Sequence, residues 1–550
     1  MVLLSFVHNA HQQMTIEDPL YKLTDRERKF LKKSWAEEFS NKIFPLINED
    51  KFSVLYSDNP ASRPNSPVNV VLGLHLLKEM HGQSDEEALN SLLFDIRYQY
   101  ALHTTSLEEQ PVSKNTLTNF RCAVYKYNEK NNVDLIQEEM ERLSKEFTRM
   151  LNINGNTIRM DSLMVSSSCR KLSRLEIIFS TVERMIKAIN KQNPDILSER
   201  LKEYLKKEYR NDTIYRSSNK DVDSKLKTVT ADAIELYYIC KGGTLEETEE
   251  FNLLSRMIGE QTIHTDGSVD LKPSKEIAPE SLQNPTDPDA TYRKKANKSN
   301  VGYSANIVET FDDKNSIISQ YDLKQNIYSD QKFSKDTIDK LGEQDEELTA
   351  IVDGAYYSEE ISKKAKENNI EFIPTNLVGR SQSSGKSGYE NFEIDEKERI
   401  VKRCPRGHEP QDSKFKNGRY RAHFKKSLCN NCPDRDNCPV IKQKKKYLFE
   451  VSETKYHRSK LMKEMETEKY KNIARKRAGV EGIPSILRRI YNIDHLPVRG
   501  LVRSKTWLGF KIGAINCKRV IKALSMQFKN AIYSMFFNHF FTIYNFQGAA

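Results

Sequence analysis

Short apolar runs alternate with helical patterns in the middle of the chain, and this alternation constrains the fold more than any other feature. Residues 301–309 and 315–323 favour two strands, and the Asp-Asp-Lys segment between them is typical of a hairpin turn. Residues 348–353 and 370–374 predict two further short strands, separated by a helix over 358–369. Helices that alternate with strands predict a sheet with the hairpin at one side.

The first 150 residues have a different pattern, in which short helices follow one another through tight turns. Thr24 and Ser84 are each followed by Glu three positions later, the spacing of a capping box at a helix start. Helices are predicted over 22–48, 68–80 and 113–130, and from Ser84 onward. This pattern favours a helical bundle of the helix-turn-helix kind. Other small all-α domains have the same pattern, so both interpretations remain open.

Three further segments complete the predicted α+β organisation. Residues 157–165 alternate in polarity and predict a strand. Residues 170–260 are charged and mainly helical, and residues 455–478 predict a long polar helix. The Ser- and Gly-rich composition of residues 380–388 is typical of a linker.

The positive charge of the chain is concentrated near its C-terminal end. The formal net charge of the whole chain is +10, whereas residues 455–529 contain 19 Lys or Arg and only 5 Asp or Glu. Such a concentration suits a polyanion such as DNA, although a solvated helix face has the same composition. The basic clusters are Arg475 with Lys476 and Arg477, Arg488 with Arg489, and Lys518 with Arg519.

No segment has the uninterrupted run of about 18–20 apolar residues that a membrane span needs. The aromatic tail over 532–546 is interrupted by polar residues and is interpreted as a core helix. Eight cysteines in 550 residues do not form a disulfide scaffold. We therefore expect a cytoplasmic protein that has no membrane partner.

Three acidic residues lie where carboxylates could do chemistry. Asp161 lies within a predicted strand, where Asp is disfavoured, and Asp353 ends an apolar strand and precedes Gly354. Glu481 lies between two glycines in the basic region. Carboxylates at strand ends can hold Mg²⁺ for an in-line displacement at phosphate. Any one of them could equally be a turn former or a helix cap, and spacing alone does not link them.

The segments around these acids resemble motifs of the DDE transposases of bacterial insertion sequences. Ile158-Arg-Met-Asp-Ser-Leu-Met-Val is similar to their first-strand motif, and residues 351–360 are similar to their second-aspartate motif. Residues 475–489 resemble their glutamate helix, which often reads Tyr-x2-Arg-x3-Glu-x6-Lys. Arg477 and Glu481 match this pattern, whereas its Lys and Tyr positions hold Arg488 and Ala474. Pro484 is unusual within a helix and suggests instead that a helix begins near Gly482.

The resemblance extends in separate motifs over roughly residues 60–520. It implies an RNase H-like catalytic core, a mixed sheet with flanking helices, preceded by an all-α DNA-binding domain. The first Asp would lie on the first strand, the second after the fourth strand, and the Glu on a following helix. The implied domains are a helical domain over 1–150, the first part of the core over 151–384 with a helical insertion over 170–260, a cysteine-rich insertion over 385–450, and the remainder of the core over 451–550.

The resemblance also implies a mechanism and partners. Asp161, Asp353 and Glu481 would hold Mg²⁺ or Mn²⁺ in a two-metal site, for cutting the ends of the element and joining them to target DNA. Arg475, Lys476, Arg477, Arg488 and Arg489 would hold phosphates. The partners would be double-stranded DNA, both terminal inverted repeats and target, and a second copy in a homodimer. The setting would be the bacterial cytoplasm, in association with the nucleoid.

Four of the eight cysteines cluster within 35 residues and have metal-knuckle spacing. Cys404, Cys429, Cys432 and Cys438 could supply four thiolates to a tetrahedral Zn²⁺. Because four protein ligands fill such a site, the zinc would be structural. Four free thiols, or a remnant site, remain the alternative. The neighbouring Lys425, Lys426 and the lysines of 442–446 suggest a DNA-contacting surface, and similar transposases carry a cysteine cluster here.

Two other functions remain open from the sequence. The same carboxylates could serve a metal-dependent nuclease that cuts DNA without joining it. Alternatively, the chain could be a transposase derivative that binds DNA without catalysis, although all three acids are present.

Overall fold

The computed structural model describes residues 4–9, 19–57, 59, 61–104, 112–216, 220–265, 268–295, 297–377 and 388–547. The linker predicted over 380–388 lies outside the described residues, except for Gly388. The chain divides into two units. Unit 1 comprises Met1–Gly155, Ser162–Tyr328 and Ile483–Ala550, and unit 2 comprises Asn156–Asp161 and Ser329–Gly482.

The α-helices are, in chain order, α1 (Asp25–Lys32), α2 (Trp35–Glu38), α3 (Val68–His81), α4 (Asp85–Phe94), α5 (Ile96–Ala101), α6 (Lys114–Asn131), α7 (Leu135–Met150), α8 (Arg174–Gln192), α9 (Glu199–Lys202), α10 (Lys207–Arg210), α11 (Val222–Cys240), α12 (Glu249–Gln261), α13 (Asp330–Leu341), α14 (Glu359–Glu367), α15 (Lys426–Asn430), α16 (Glu453–Met465), α17 (Glu468–Arg477), α18 (Gly482–Arg489) and α19 (Leu501–Gln547).

The strands are β1 (Thr157–Ser166), β2 (Thr262–Thr265), β3 (Ser268–Leu271), β4 (Thr291–Lys295), β5 (Lys298–Phe311), β6 (Ser316–Gln325), β7 (Leu348–Val352), β8 (Ile370–Pro374), β9 (Glu393–Asp395), β10 (Ile400–Arg403), β11 (Asp412–Lys416), β12 (Arg419–Lys425), β13 (Ile441–Lys442) and β14 (Lys446–Ser452).

Side-chain caps begin two N-terminal helices of unit 1 where the sequence predicts them. Thr24 accepts from the backbone N–H of Glu27, and the Glu27 carboxylate accepts from the Thr24 N–H. Ser84 and Glu87 form the same reciprocal pair at the start of α4. The single helix predicted over 22–48 is wrong, because the chain breaks into α1, α2, a π-turn and a 3-10 turn.

The core of unit 1 forms around α3, which is buried along almost its whole length, and the first half of α19. α19 packs against α3, α7 and β6. The apolar residues of α19 that line this core include Trp507, Leu508, Phe510 and Val520. The helix predicted over 532–546 is confirmed as the end of α19, and its side chains from residue 528 onward lie outside the described ones.

A buried group of charges joins α3, α4 and α6 within this core. Asp85 accepts from Lys78 at 2.9 Å and from both terminal nitrogens of Arg121 at 2.6 and 3.1 Å. The Lys78 ammonium also lies 4.3 Å from the ring centre of Trp507. Burial raises the pKa of Asp85, but hydrogen bonds from Arg121 and Lys78 outweigh burial, and the net pKa is far below its usual range.

The segment from α8 to α12 confirms the helical stretch predicted over 170–260. Its helices enclose an apolar core of their own, with Phe179, Leu201, Leu236 and Leu254 among its buried residues. The hairpin of β2 and β3 follows it, and this hairpin was not predicted.

The main sheet has the strand order β4-β5-β1-β7-β8, and β6 also pairs with β5. The predicted hairpin is confirmed, since β5 and β6 pair antiparallel from Tyr303 opposite Gln325 to Phe311 opposite Ser316. β1 pairs with β7, and β7 with β8, in parallel. The sheet is therefore mixed, as predicted, and with the flanking helices it makes the chain an α+β protein.

Unit 2 contains a second, four-stranded sheet with the order β11-β12-β14-β13. Its inner side packs on an apolar core that includes Phe392, Phe424 and Phe449. These strands were not predicted from the sequence. The long helix predicted over 455–478 is divided into α16 and α17, because Thr467 caps a new helix by accepting from the Tyr470 N–H.

Candidate active site

The two aspartates lie at the same level of neighbouring parallel strands in unit 2, Asp161 within β1 and Asp353 directly after β7. Thr157 of β1 pairs with Thr349 of β7, and Arg159 pairs with Ile351. The same register, continued by two residues, leads to Asp161 and Asp353. Because neighbouring strands lie about 4.8 Å apart, this register places the two carboxylates side by side at the end of β7.

A close backbone approach fixes the turn after β7. The Gly354 N–H donates to Asn376 Oδ1 at 2.7 Å, and a Cβ at residue 354 would collide with the Asn376 carbonyl oxygen. The glycine that follows Asp353 is therefore explained by a close approach, and the approaching group is Asn376. The Asp353 carboxylate accepts from the Ala355 N–H at 3.4 Å and so begins a 3-10 turn.

Glu481 ends a 3-10 turn, Ala478–Glu481, that joins α17 to α18. α18 begins at Gly482 with Pro484 in its first turn, so the helix start suggested by that proline is confirmed. Arg159 of β1 donates to the Lys476 carbonyl and fills the space beside Gly479, where a Cβ would collide with its guanidinium. This contact positions the turn that carries Glu481. Tyr470 anchors α17, because its hydroxyl donates to the carbonyl of Pro374 at the end of β8.

Arg477 brings the three predicted acids together. Its guanidinium lies 2.9 Å from Glu481, 3.3 Å from Asp161 and 3.7 Å from Asp353, measured between nitrogen and carboxylate oxygen. The Arg477 side chain is 9% exposed, whereas those of Asp161, Asp353 and Glu481 are 19%, 36% and 61% exposed. Three carboxylates therefore face the Arg477 guanidinium, which offsets only one of their three negative charges.

The excess charge and the oxygen donors are what a hard divalent cation needs. In this structure the three acids are spaced to contact the guanidinium. Among the residues that the structure describes, no group of three or more His, Cys, Asp or Glu is arranged to hold an ion. The Arg477 Nε atom is buried and has no hydrogen-bond partner in the described part of the chain.

The remaining basic residues predicted to hold phosphate lie closer to the surface. In unit 2, Arg475 is exposed and donates to Asn472 at 2.8 Å, and Lys476 is also exposed. In unit 1, Arg488 pairs with Asp494 at 3.2 Å, and Arg489 is exposed.

The four clustered cysteines line one cavity in unit 2. Cys404, Cys429, Cys432 and Cys438 all carry free thiols. The Gly407 N–H donates to the Cys404 carbonyl at 2.8 Å, which forms a tight turn at the first of them. Burial, and then the neighbouring thiols, raise the pKa of Cys429 to about 11, and burial also raises the pKa of Cys438. The four cysteines therefore line the same cavity, although the described residues around it do not form a group arranged to hold an ion.

Two transposase domains match the chain. A "Transposase domain (DUF772)" covers residues 28–123, and a "Transposase DDE domain" covers residues 403–521. The chain therefore has the domains of a transposase. Together, the two matches confirm the resemblance to the DDE transposases of insertion sequences. The second match includes Glu481, and neither match includes Asp161 or Asp353.

Two other comparisons add little. No curated protein matches the chain. Among solved structures, a piggyBac transposase in a synaptic complex with hairpin DNA matches with a TM-score of 0.28 and 10% identity, over 94% of this chain and 77% of that chain. A likeness this slight carries no argument about fold or function.

Three residues shape this site in ways that were not predicted from the sequence. Arg477 was assigned to DNA phosphate, yet it pairs with all three acids. Its position four residues before Glu481, a spacing at which helical side chains meet, was the available signal. Arg159 and Asn376 gave no signal, because a strand Arg and a loop Asn have many ordinary roles.

Proposed function

We propose that this transposase cuts the ends of an insertion sequence and joins them to target DNA, with Asp161, Asp353 and Glu481 as its catalytic carboxylates. The observation that supports this most is the convergence of all three on the Arg477 guanidinium. An RNase H-like core is part of the proposal. The order β6-β5-β1-β7-β8, with an antiparallel hairpin and two parallel neighbours, supports it.

The donor chemistry of this site fits Mg²⁺ or Mn²⁺. Asp161, Asp353 and Glu481 would hold the ions through oxygen, the ligand atom that both ions prefer. Two bound ions would lower the pKa of a water or a 3′-hydroxyl and neutralise charge on the phosphate oxygens during an in-line displacement.

The residues of the chain would prepare the site for this chemistry. The parallel register of β1 and β7 holds two carboxylates side by side, and the 3-10 turn brings the third. Arg477 limits the repulsion among them while DNA is absent. Because Glu481 is the most exposed of the three, its side chain can move to a new partner with the least rearrangement.

The proposed partners are double-stranded DNA, as terminal inverted repeats and as target, and a second copy of the chain. The transposase domain over 28–123 coincides with the predicted helical DNA-binding region, which supports DNA recognition there. Exposed Arg475, Lys476 and Arg489, together with Arg488, would hold phosphates. Joining two DNA ends in one event supports a homodimer.

We propose that the cysteine cavity holds a structural Zn²⁺. Four thiols that line one cavity are a suitable donor set for tetrahedral zinc, and no disulfide competes for them. Purified protein should contain about one zinc per chain by atomic emission, and Cys432→Ser should reduce it. Cys122→Ser is the control, since Cys122 is an exposed thiol outside the cluster. Zinc-free wild-type protein, purified without chelator, would contradict this assignment.

The proposed catalytic role is tested by cleavage of duplexes that carry the flanking ends of the chain's own gene. With Mg²⁺, wild-type protein should cut these duplexes, and Asp353→Asn should be slower by on the order of 10³-fold, because a metal-binding carboxylate is lost. Asp345→Asn, which alters an exposed acid, is the matched control. Retained cleavage in Asp353→Asn would remove the catalytic assignment. Absence of all DNA cleavage in the wild type would favour a DNA-binding derivative.

A further inference from the structure

The four-stranded sheet of unit 2 has one apolar side and one charged side. Along β12 and β14, alternate residues are buried in the core beneath the sheet; these are Tyr420, Ala422, Phe424, Tyr447, Phe449 and Val451. Because successive side chains of a strand point to opposite faces, the intervening residues point away from this core. Six of those on β11, β12 and β14 are basic, and we call them the basic face: Lys414, Lys416, Arg419, Arg421, Lys425 and Lys446.

The strand register sets these basic residues directly opposite one another. Lys416 pairs with Arg419, and Lys414 pairs with Arg421 across β11 and β12. Lys425 likewise pairs with Lys446 across β12 and β14. The first two pairs follow from the two-residue Asn-Gly turn between β11 and β12, in which both residues have positive φ angles, 52° and 70°.

Only part of this charge is neutralised within the protein. Glu450 accepts from Arg419 at 2.6 Å and from Arg421 at 3.2 Å, and the Lys446 ammonium lies 3.6 Å from the Asp412 carboxylate. The three lysines Lys414, Lys416 and Lys425 are exposed and have no ion-pair partner within the described ranges. Like charges directly opposite each other destabilise a sheet, so folding does not explain why they are grouped here.

We propose that the basic face binds the phosphate backbone of double-stranded DNA. The inference rests on the proposed function, and it assigns part of the DNA contact to a sheet surface that carries no predicted catalytic residue. Phosphates would neutralise the opposed cations and release counterions, which supplies affinity without reading sequence.

The composition of this face favours duplex over single-stranded nucleic acid. Proteins that bind single strands stack bases on exposed aromatic rings. Within the described part of this sheet, the Tyr and Phe side chains of β12 and β14 are all buried on the inner side, and the outward His423 ring is paired with Asp412. The outward positions of β14 are Lys446, Leu448, Glu450 and Ser452, which offer no stacking platform.

The test neutralises the three unpaired lysines together, in the full-length chain. The variant is Lys414→Gln, Lys416→Gln, Lys425→Gln. Its matched control is Lys191→Gln, Lys227→Gln, Lys275→Gln, which removes three exposed lysines elsewhere. Binding is measured by fluorescence anisotropy at several salt concentrations without divalent ion, using a duplex of the element's end and a scrambled duplex.

If the three lysines contact phosphates, the slope of log affinity against log salt should become shallower by about 2.7, at about 0.9 per contact. Affinity at 0.1 M salt should fall on the order of 10²-fold, equally for both duplexes, and the control should bind like the wild type. The melting temperature of the variant should equal or exceed that of the wild type, because repulsion has been removed.

Three results would overturn the inference. The first is wild-type affinity and salt slope in the variant, and the second is an equal loss in the control. The third is unchanged duplex binding together with lost binding to vesicles of anionic lipid, which would identify a membrane surface instead. If the wild type itself bound neither duplex, the proposed function would fail. If the wild type bound both duplexes and the variant bound them with the same affinity, only this inference would fail.

Discussion

Replacing Arg477 with Gln removes a cation on which all three candidate carboxylates converge. Arg477 is 9% exposed and lies 3.3 Å from Asp161, whose side chain is 19% exposed. Removing one partner of such a buried pair typically costs about 3–5 kcal/mol, because the other charge stays buried without compensation. The pairs with Asp353 and Glu481 involve more exposed acids, so each adds at most about 1 kcal/mol. We therefore expect a loss of about 3 kcal/mol, mainly from Asp161.

This loss is measurable as a melting temperature in the absence of divalent ions. A change of about 3 kcal/mol in a domain of the size of unit 2 corresponds to a drop of about 6–12 °C, followed by differential scanning calorimetry in EDTA. Ca²⁺ should raise the melting temperature of Arg477→Gln more than that of the wild type, since the ion no longer competes with a guanidinium. Arg475→Gln is the control, because Arg475 is exposed and donates a hydrogen bond to Asn472 rather than to any of the three acids.

Two results would refute this reasoning. An unchanged melting temperature in EDTA would mean that Arg477 does not stabilise the carboxylates, and would leave it the DNA-phosphate role predicted from the sequence. An equal effect of Ca²⁺ on variant and wild type would mean that the guanidinium and the ion do not compete for the same acids.

Two further variants test the packing around the site and the core of unit 1. Gly354→Ala should be destabilised by about 1–3 kcal/mol, because the new Cβ would collide with the Asn376 carbonyl. Gly482→Ala is the control: its Cβ would enter open space, so this variant should be as stable as the wild type or slightly more stable. Equal melting temperatures for the two variants would contradict this prediction. Asp85→Asn should lose about 3 kcal/mol of unfolding free energy at pH 7, because the buried cations Lys78 and Arg121 each lose an ion pair. Folding lowers the pKa of Asp85, so its carboxylate stabilises the fold fully above the unfolded pKa of about 3.9, and this stabilisation is lost as the pH falls below that value. Calorimetry should therefore show that the difference in stability between the variant and the wild type decreases only below about pH 4. A gap that stayed constant down to pH 3 would refute the ion-pair explanation.

The local patterns of the sequence were sufficient to predict much of the main sheet. Alternating polarity and the Asp-Asp-Lys turn predicted the hairpin of β5 and β6, and β7 and β8 were predicted from short apolar runs. Helix boundaries were less accurate, because local caps such as Thr467 divide a long polar segment that has no strong apolar periodicity. The sheet of the cysteine-rich region was missed, although the Asn-Gly pair at 417–418 is a strong hairpin signal.

The pairing of distant segments could not be predicted from the sequence. Asp161 and Asp353 are 192 positions apart, which equals the offset between paired residues of β1 and β7, such as Thr157 and Thr349. No local sequence pattern reveals such a register between distant parallel strands. Pro484 did predict the helix start that places Glu481 in a turn, because a proline is tolerated in the first turn of a helix and not in its interior. Arg477 contacts three acids from separate segments, and the phosphate role that the resemblance implies for it did not include this contact. The four-part domain organisation and the catalytic roles of the acids stay predictions.

The central claim is that Asp161, Asp353 and Glu481 act as one set in cutting and joining DNA. The most direct measurement incubates the protein with Mg²⁺, a labelled duplex carrying the element's end, and a target plasmid, and then quantifies end–target joined products. Wild type and the control Glu466→Gln should form joined products, and Glu481→Gln should reduce them on the order of 10³-fold while its melting temperature and duplex affinity stay near those of the wild type. Joined products at the wild-type level in Glu481→Gln would contradict the claim, and cleavage without joining in the wild type would identify a nuclease.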